Sequence, residues 1–464
     1  MRTRTTPRSW LAVVGTLAVV ATIAPPAVAQ GPSLPPGSTQ IVSLADDGSQ
    51  GDDLSSYDQP SENQQPALLN MQQPAAFESM PVASGAAEGS WSIVSSPNSP
   101  QPASVLSAVA CVSASDCWAV GSSWVYTVGP APTLIEHWDG TSWSIIPSPN
   151  RRTDAFNVLN DVTCVSATDC WAVGGYQGFD GTVGGNPHSL IMRWDGTSWT
   201  IVPEPNASDS IYNQLFAVTC VSSSDCWAVG ETFTDSTQQV LIEHWDGTAW
   251  TIVDSPSTVQ PFVRGVTCVS ADDCWLVGSA NGGTLVEHWD GIAWAIVPSP
   301  NVDRTNRLTG VTCVSAQDCW AVGHASGLDP VTKQTSPART LIARWNGTAW
   351  SIIASPNSSA TNANLFSGVT CTSATNCWTV GSYYAAGGAG TGTGVIAQTL
   401  IQRWDGTSWA IVTSPNARAA QDNVLNDVTC VSASDCWTVG YVSPANVGVQ
   451  PESQTLIEHF TVPR

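Results

Sequence analysis

Three features of this 464-residue sequence predict an all-β fold, a seven-bladed β-propeller of four antiparallel strands per blade whose ring is closed by the N-terminal strand. One pattern recurs seven times from about residue 89 onward. Each copy divides into four short runs rich in Val, Ile, Thr and Trp, and the last copy lacks its fourth run, which stands in front of the first copy instead. A four-stranded sheet cannot bury both of its faces alone, so tandem copies have to pack on one another around an axis.

The chain begins with Arg2, Arg4 and Arg8, an apolar run from Trp10 to Ile23 and the small-residue triplet Ala27-Val28-Ala29. That order predicts a secretory signal peptide over residues 1–29, cleaved before Gln30. The apolar run is shorter than the roughly 20 residues a membrane span needs. No later run reaches that length, and no Cys follows the cleavage site to carry a lipid. Residues 30–88 turn to Pro, Gln, Ser, Gly and Ala without a period of 2 or 3.6, which predicts a disordered linker. The propeller then occupies residues 89–464, in an extracellular protein that is not inserted in a membrane after cleavage.

The first unit shows the pattern as Val109-Ala110-Cys111-Val112-Ser113, Asp116-Cys117-Trp118-Ala119-Val120-Gly121, Thr133-Leu134-Ile135-Glu136-His137-Trp138-Asp139-Gly140 and Ser142-Trp143-Ser144-Ile145-Ile146-Pro147. The runs are named strands a, b, c and d. The first Cys of successive units falls at 111, 164, 220, 268, 313, 371 and 430, the spacing of propeller blades. Gly, Asp, Ser and Pro between the runs supply the turns. The seventh unit ends at Thr455-Leu456-Ile457-Glu458-His459-Phe460, and its strand d is Ser90-Trp91-Ser92-Ile93-Val94. A linear array has no use for that register; a closed ring, which removes exposed sheet edges, requires it.

All 14 cysteines form Cys-x5-Cys pairs: Cys111 with Cys117, Cys164 with Cys170, Cys220 with Cys226, Cys268 with Cys274, Cys313 with Cys319, Cys371 with Cys377, and Cys430 with Cys436. A hairpin between strands a and b sets each pair face to face, and an exported chain meets an oxidising compartment, so disulfides are expected. The competing reading, a zinc site, usually has a closer spacing and would need ligands to converge from separate blades. No thiol is left for catalysis, and no metal or other cofactor is expected.

Trp118, Trp171, Trp227, Trp275, Trp320, Trp378 and Trp437 follow the second Cys of each unit. Two more aromatics flank the strand c to d turn, as Trp138 and Trp143 do in the first unit and Phe460 and Trp91 in the seventh. Their repetition reads as cross-strand packing rather than ligand stacking. The residue before the strand c aromatic alternates between His (137, 244, 288, 459) and Arg (193, 344, 403). A guanidinium does not coordinate metals, so this column is not a metal site.

Function is expected where the repeats differ. The Cys-to-Cys spacing and the five-residue step between the strand c and strand d aromatics never change, whereas the strand b Trp to strand c aromatic interval runs from 14 residues (Trp275 to Trp289) to 26 (Trp378 to Trp404). The variable b to c loops share one face of the disc with the d to a loops, the default place for a binding site. Tyr126, Tyr176, Tyr212, Tyr383, Tyr384 and Tyr441 lie in or beside those loops, with Trp124, Phe179 and Phe233. They suit sugar stacking or anchoring of a protein, and equally a covering of the blade edges. On the same face, one strand a position is small in five blades and acidic in two, Asp161 and Asp427, with Asn160, Arg264 and Asn426 beside it. Those carboxylates are the candidates for acid and base work, although blades 2 and 7 are not neighbours and solvated or capping roles compete. His188 and His324 are the histidines outside the repeated column.

The chain carries 15 Lys and Arg against 37 Asp and Glu, a net charge of −22, with Lys333 its single lysine. No basic stripe is available for phosphates, which excludes nucleic acid and anionic membranes as expected partners. The charge itself reads as solubility.

The Asp-Cys-Trp-Ala-Val-Gly and Glu-His-Trp-Asp-Gly-Thr-Ser-Trp motifs resemble those of exported bacterial propellers in the broad kelch and galactose-oxidase-like group, over about residues 90–464. The Gly-Gly pair of kelch repeats is missing, the Trp-Asp lacks the Gly-His partner of WD repeats, and the Asp and Gly that an Asp-box holds one residue apart touch here. Paired cysteines also remove the Cys-Tyr cross-link of galactose oxidase. The resemblance therefore implies fold and export without a catalytic site. The sequence as a whole points to a monomeric binding module for a glycan or an extracellular protein, with Tyr126, Tyr176, Tyr212, Tyr383, Tyr384, Tyr441 and Arg264 as candidate ligand contacts. The alternative is a carbohydrate-active hydrolase or lyase using Asp161 or Asp427.

Overall fold

The computed structural model describes residues 89–124, 131–154, 156–177, 187–205, 212–233, 237–256, 260–328, 336–386, 395–444 and 452–463. The signal peptide, the linker, Tyr126 and Phe179 lie outside the described residues. Seven separate four-stranded antiparallel sheets are formed, and no helix occurs among the described residues. The innermost strands a are Ala103–Ser113, Phe156–Ser166, Tyr212–Ser222, Pro261–Ser270, Thr305–Ser315, Asn364–Ser373 and Gln421–Ser432. In blade 7 the order runs Gln421–Ser432, Asp435–Pro444, Gln454–Thr461 and then Ser90–Val94, with Trp91 opposite Phe460. The expected closure by the N-terminal strand is thus realised.

All seven disulfides are present, each joining cross-strand neighbours at the a to b hairpin with Cα atoms 4.0 Å apart. The six described c to d turns each hold a Gly at positive φ, such as Gly140 at 92°. The preceding Asp fixes the turn: Asp139 Oδ1 accepts the Thr141 and Ser142 amides at 2.8 and 2.9 Å. These local bonds explain why Asp-Gly recurs there.

The tryptophans do pack across strands, Trp138 lying 6.0 Å from Trp143, but they also join one blade to the next. Trp118 of blade 1 meets Trp194 and, edge-on, Trp199 of blade 2 at 4.7 and 5.4 Å. The same triad continues around the ring and finishes with Trp437 of blade 7 against Trp138 and Trp143 of blade 1. Blade 6 completes its triad with Trp91 and Phe460. A continuous aromatic belt therefore runs through every blade interface.

The His and Arg column serves the same belt. His137 stacks on Trp118 with centroids 4.3 Å apart while its Nε2 meets Asp116 Oδ1 at 2.8 Å. Arg193 lies over Trp171 at 4.8 Å and its Nε donates to Asp169 at 2.9 Å. Arg403 has Asn376 in place of the Asp, at 3.0 Å. A flat donor that stacks on indole and reaches the first residue of strand b meets the requirement, and imidazole and guanidinium both qualify.

Candidate functional site

Each strand a carries a β-bulge at the same place, before the position that is Asp in blades 2 and 7. The bulge residues are Ser107, Asn160, Phe216, Arg264, Thr309, Ser367 and Asn426. A bulge removes one residue from the ladder, kinks the strand and re-aims its side chain. It also forces the facing residue of strand b to be glycine: a Cβ on Gly121 would stand 2.0 Å from the Val105 carbonyl oxygen, and the other six blades repeat that approach. The Val-Gly of every repeat is the sequence mark of the bulge.

The bulge explains Asp161 and Asp427. Asn160 Nδ2 donates to the Leu215 carbonyl at 2.6 Å, and Asp161 Oδ2 accepts the Val218 amide at 2.8 Å, both on strand a of blade 3. Asn426 and Asp427 grip Leu106 O and Val109 N of blade 1 in the same way, at 2.7 and 3.0 Å. Each Asn-Asp pair thus ties its own strand a to that of the next blade. In blade 5, Thr309 makes one such link, to Phe366 O at 2.8 Å. Enclosure by protein raises both carboxyls above the usual range, and the charge of Asp427 pushes Asp161 further. The carboxyl of Asp161 therefore senses that of Asp427 although blade 1 lies between them.

The candidate tyrosines separate into groups. Tyr176 packs against the core between blades 1 and 2, with His188 at 5.3 Å and Arg151 at 5.8 Å. Tyr383 packs against the core between blades 5 and 6. Tyr384 donates its amide to Ala363 O, and burial raises the hydroxyl of Tyr441, which also senses Tyr384 and Asp422. For Tyr176 and Tyr383 the covering of blade edges is a substantial part of the role.

Arg264 stands in a richer setting. As a bulge residue it turns back toward blade 3, stacks over Phe216 at 3.9 Å and binds Glu231 Oε1 at 2.5 Å. Phe262, two residues earlier, lies under Arg264 at 5.9 Å and under Arg307 of blade 5 at 5.5 Å. Tyr212 meets Phe233 edge-on at 4.7 Å and hydrogen-bonds Gln214, while Gln238 Nε2 reaches Glu231 at 3.1 Å. Burial, then the like charge of Arg264, lowers Arg307 below the usual arginine range. His324, opposite Arg307 in the strand pairing, is pushed down to about 4 by burial and by Arg307, so it is neutral at pH 7. The structure therefore gathers two arginines, one carboxylate, one neutral histidine and several aromatics on the variable side of blades 3 to 5.

Of this group, sequence reasoning selected Arg264 and Tyr212 and noted Phe233 and His324. It missed Arg307, Phe216, Phe262 and Glu231. The signal lay in aligned repeats: Arg307 occupies a column otherwise filled by Val105, Val158, Gln214, Phe262, Leu365 and Val424. No group of three or more His, Cys, Asp or Glu suited to a metal occurs among the described residues.

No protein-family model and no curated protein matches the chain. Among solved structures it is similar to YCF48 bound to D1 peptide, at 13% identity over 81% of this chain and 95% of that one, with a TM-score of 0.47. It is also similar to a polysaccharide lyase of the ulvan lyase family PL25 (11% identity, 74% and 89% covered, TM-score 0.43) and to Chaetomium thermophilum Sqt1 bound to the N-terminus of ribosomal protein L10 (12%, 78% and 98%, 0.43). These neighbours give no specific support to a kelch or galactose-oxidase-like relationship or to a bacterial, exported origin. The seven-bladed propeller rests on the chain's own strand pairing.

Proposed function

We propose that this chain is a secreted, non-catalytic binding module that recognises a glycan or a protein through its variable-loop face. The observation that carries the reading is the contrast between the two faces. Turns on one side repeat in length and chemistry, whereas the unrepeated Arg264, Arg307, His324 and Phe216 collect on the other side of blades 3 to 5. Invariant turns serve the scaffold, and side chains found once serve a task performed once. Seven disulfides support an oxidising compartment and agree with the signal peptide expected at residues 1–29.

A second reading, a carbohydrate-active hydrolase or lyase, draws on the raised carboxyls of Asp161 and Asp427. Their bonds to Val218 N and Val109 N favour a tie between blades. Glycan and peptide arrays probed with the mature chain separate the readings. Retention without turnover supports the module, and absence of any retained ligand sinks it. Turnover of a bound polysaccharide that Asp161→Asn abolishes, with the fold intact, establishes the enzyme.

A further inference from the structure

Resting on the binding-module reading, we propose that the Arg264–Arg307 cluster of blades 3 to 5 is a site for an acidic oligosaccharide, its anchoring group the carboxylate of a uronic acid. Two guanidiniums lie close enough for one to disfavour the charge of the other. Glu231 is bonded to Arg264, and no carboxylate or hydrogen-bond acceptor partners the Arg307 guanidinium among the described residues. Glu231 attracts both arginines, so two half-buried cations share one carboxylate and the cluster keeps a surplus positive charge, which is unfavourable for the fold and attractive to an anion, the more so in a chain of net charge −22. The rings of Phe216 and Phe262 hold the guanidinium planes, so little side-chain freedom remains to be lost when a carboxylate docks.

The surroundings match sugar hydroxyls. Tyr212, Gln214, Gln238 and Glu231 already exchange hydrogen bonds among themselves, and each offers planar polar groups that accept or donate. Neutral His324, whose Nδ1 is buried without a partner, adds a polar atom with no second charge. A simple anion would use the arginines alone; the amides and hydroxyl beside them are what a uronate's neighbouring hydroxyls require.

The test is calorimetric titration of the mature chain with an oligogalacturonate, the same oligomer fully methyl-esterified, and an oligoglutamate peptide. The proposal expects saturable binding of the oligogalacturonate that weakens with salt, no binding of the ester, and at least a tenfold loss in both Arg307→Gln and Arg264→Gln. The melting temperature of Arg307→Gln should change little, because relief from Arg264 offsets the lost attraction to Glu231 and the lost stacking on Phe262; in binding, Arg307→Lys, which keeps charge and loses the fork, should lie between. Equal binding of the ester, or binding unaffected by the Arg307 variants, overturns the uronate site while leaving the module standing. Binding of the peptide alone overturns the glycan assignment. Failure of all three probes overturns the uronate proposal, and an empty glycan and peptide array besides would remove the module reading with it.

Discussion

Four glutamates sit at one position of strand c, Glu136, Glu243, Glu287 and Glu458, and all are fully buried. Three of them meet a serine in the segment just after strand d of the preceding blade. Ser255 Oγ lies 3.1 Å from both oxygens of Glu287, Ser96 Oγ reaches Glu136 at 2.8 Å, and Ser414 reaches Glu458. Among the described residues no cation pairs with these three, so burial pushes Glu136 and Glu458 up to about 8 and Glu287 to about 7, against 4.5 when unfolded. Glu243 is raised as well, by burial and then by Glu204. A carboxyl protonated in the fold and ionised in the open chain favours unfolding as pH rises. Its contribution is complete below about pH 4.5 and is lost as pH climbs toward the folded value.

For Glu287 the interval spans about 2.5 pH units, and at about 1.4 kcal/mol per unit the loss is on the order of 3 kcal/mol. Blade 6 carries Gln402 at this position, where its Nε2 donates to Pro356 O at 2.7 Å, so the site accepts an amide. Glu287→Gln should therefore gain about 3 kcal/mol over wild type at pH 8 relative to the difference between them at pH 4.5. Urea unfolding at a series of pH values measures that double difference, in which the other glutamates cancel. Parallel pH profiles for the two proteins would refute a neutral, buried Glu287.

Three further outcomes test the scaffold. Replacing Cys111 and Cys117 together by Ser should lower stability by about 2 kcal/mol, the chain-entropy value for so small a loop, and a reductant should then destabilise the variant less than wild type. Trp91→Ala removes the strand d member of the blade 6 to 7 triad and should cost about 3 to 5 kcal/mol, seen as a lower melting temperature with early exposure of Phe460 and Trp378. Asp427→Ala strands the Val109 amide at the closure between blades 7 and 1 and should cost about 1 to 3 kcal/mol; an unchanged melting temperature would show that the tie contributes nothing.

The blade count, the closing strand and the disulfides were legible because they depend on short-range signals: a repeat period, a Cys-x5-Cys spacing and an Asp-Gly turn all act within one blade. What joins blades was not. The bonds from Asp161 to Val218, from Ser96 to Glu136 and from Trp118 to Trp199 link positions whose registry is set only when separate sheets pack. Asp161 and Asp427 therefore read as unrepeated acids, although a bulge had left backbone groups for them to bind. Arg264 stood out as a charge beside that column, whereas Arg307 was hidden because its neighbours in other blades are mostly apolar and the run looks like ordinary strand alternation.

In the proposed binding module, recognition belongs to the variable face. Hydrogen exchange of the mature chain, with and without the ligand retained on an array, tests it most directly. Protection should appear in the segments around Tyr212–Phe216, Pro261–Arg264 and Thr305–Arg307 and leave the Asp139–Ser142 type turns unchanged. A footprint confined to those repeated turns and the disulfide hairpins would contradict the claim.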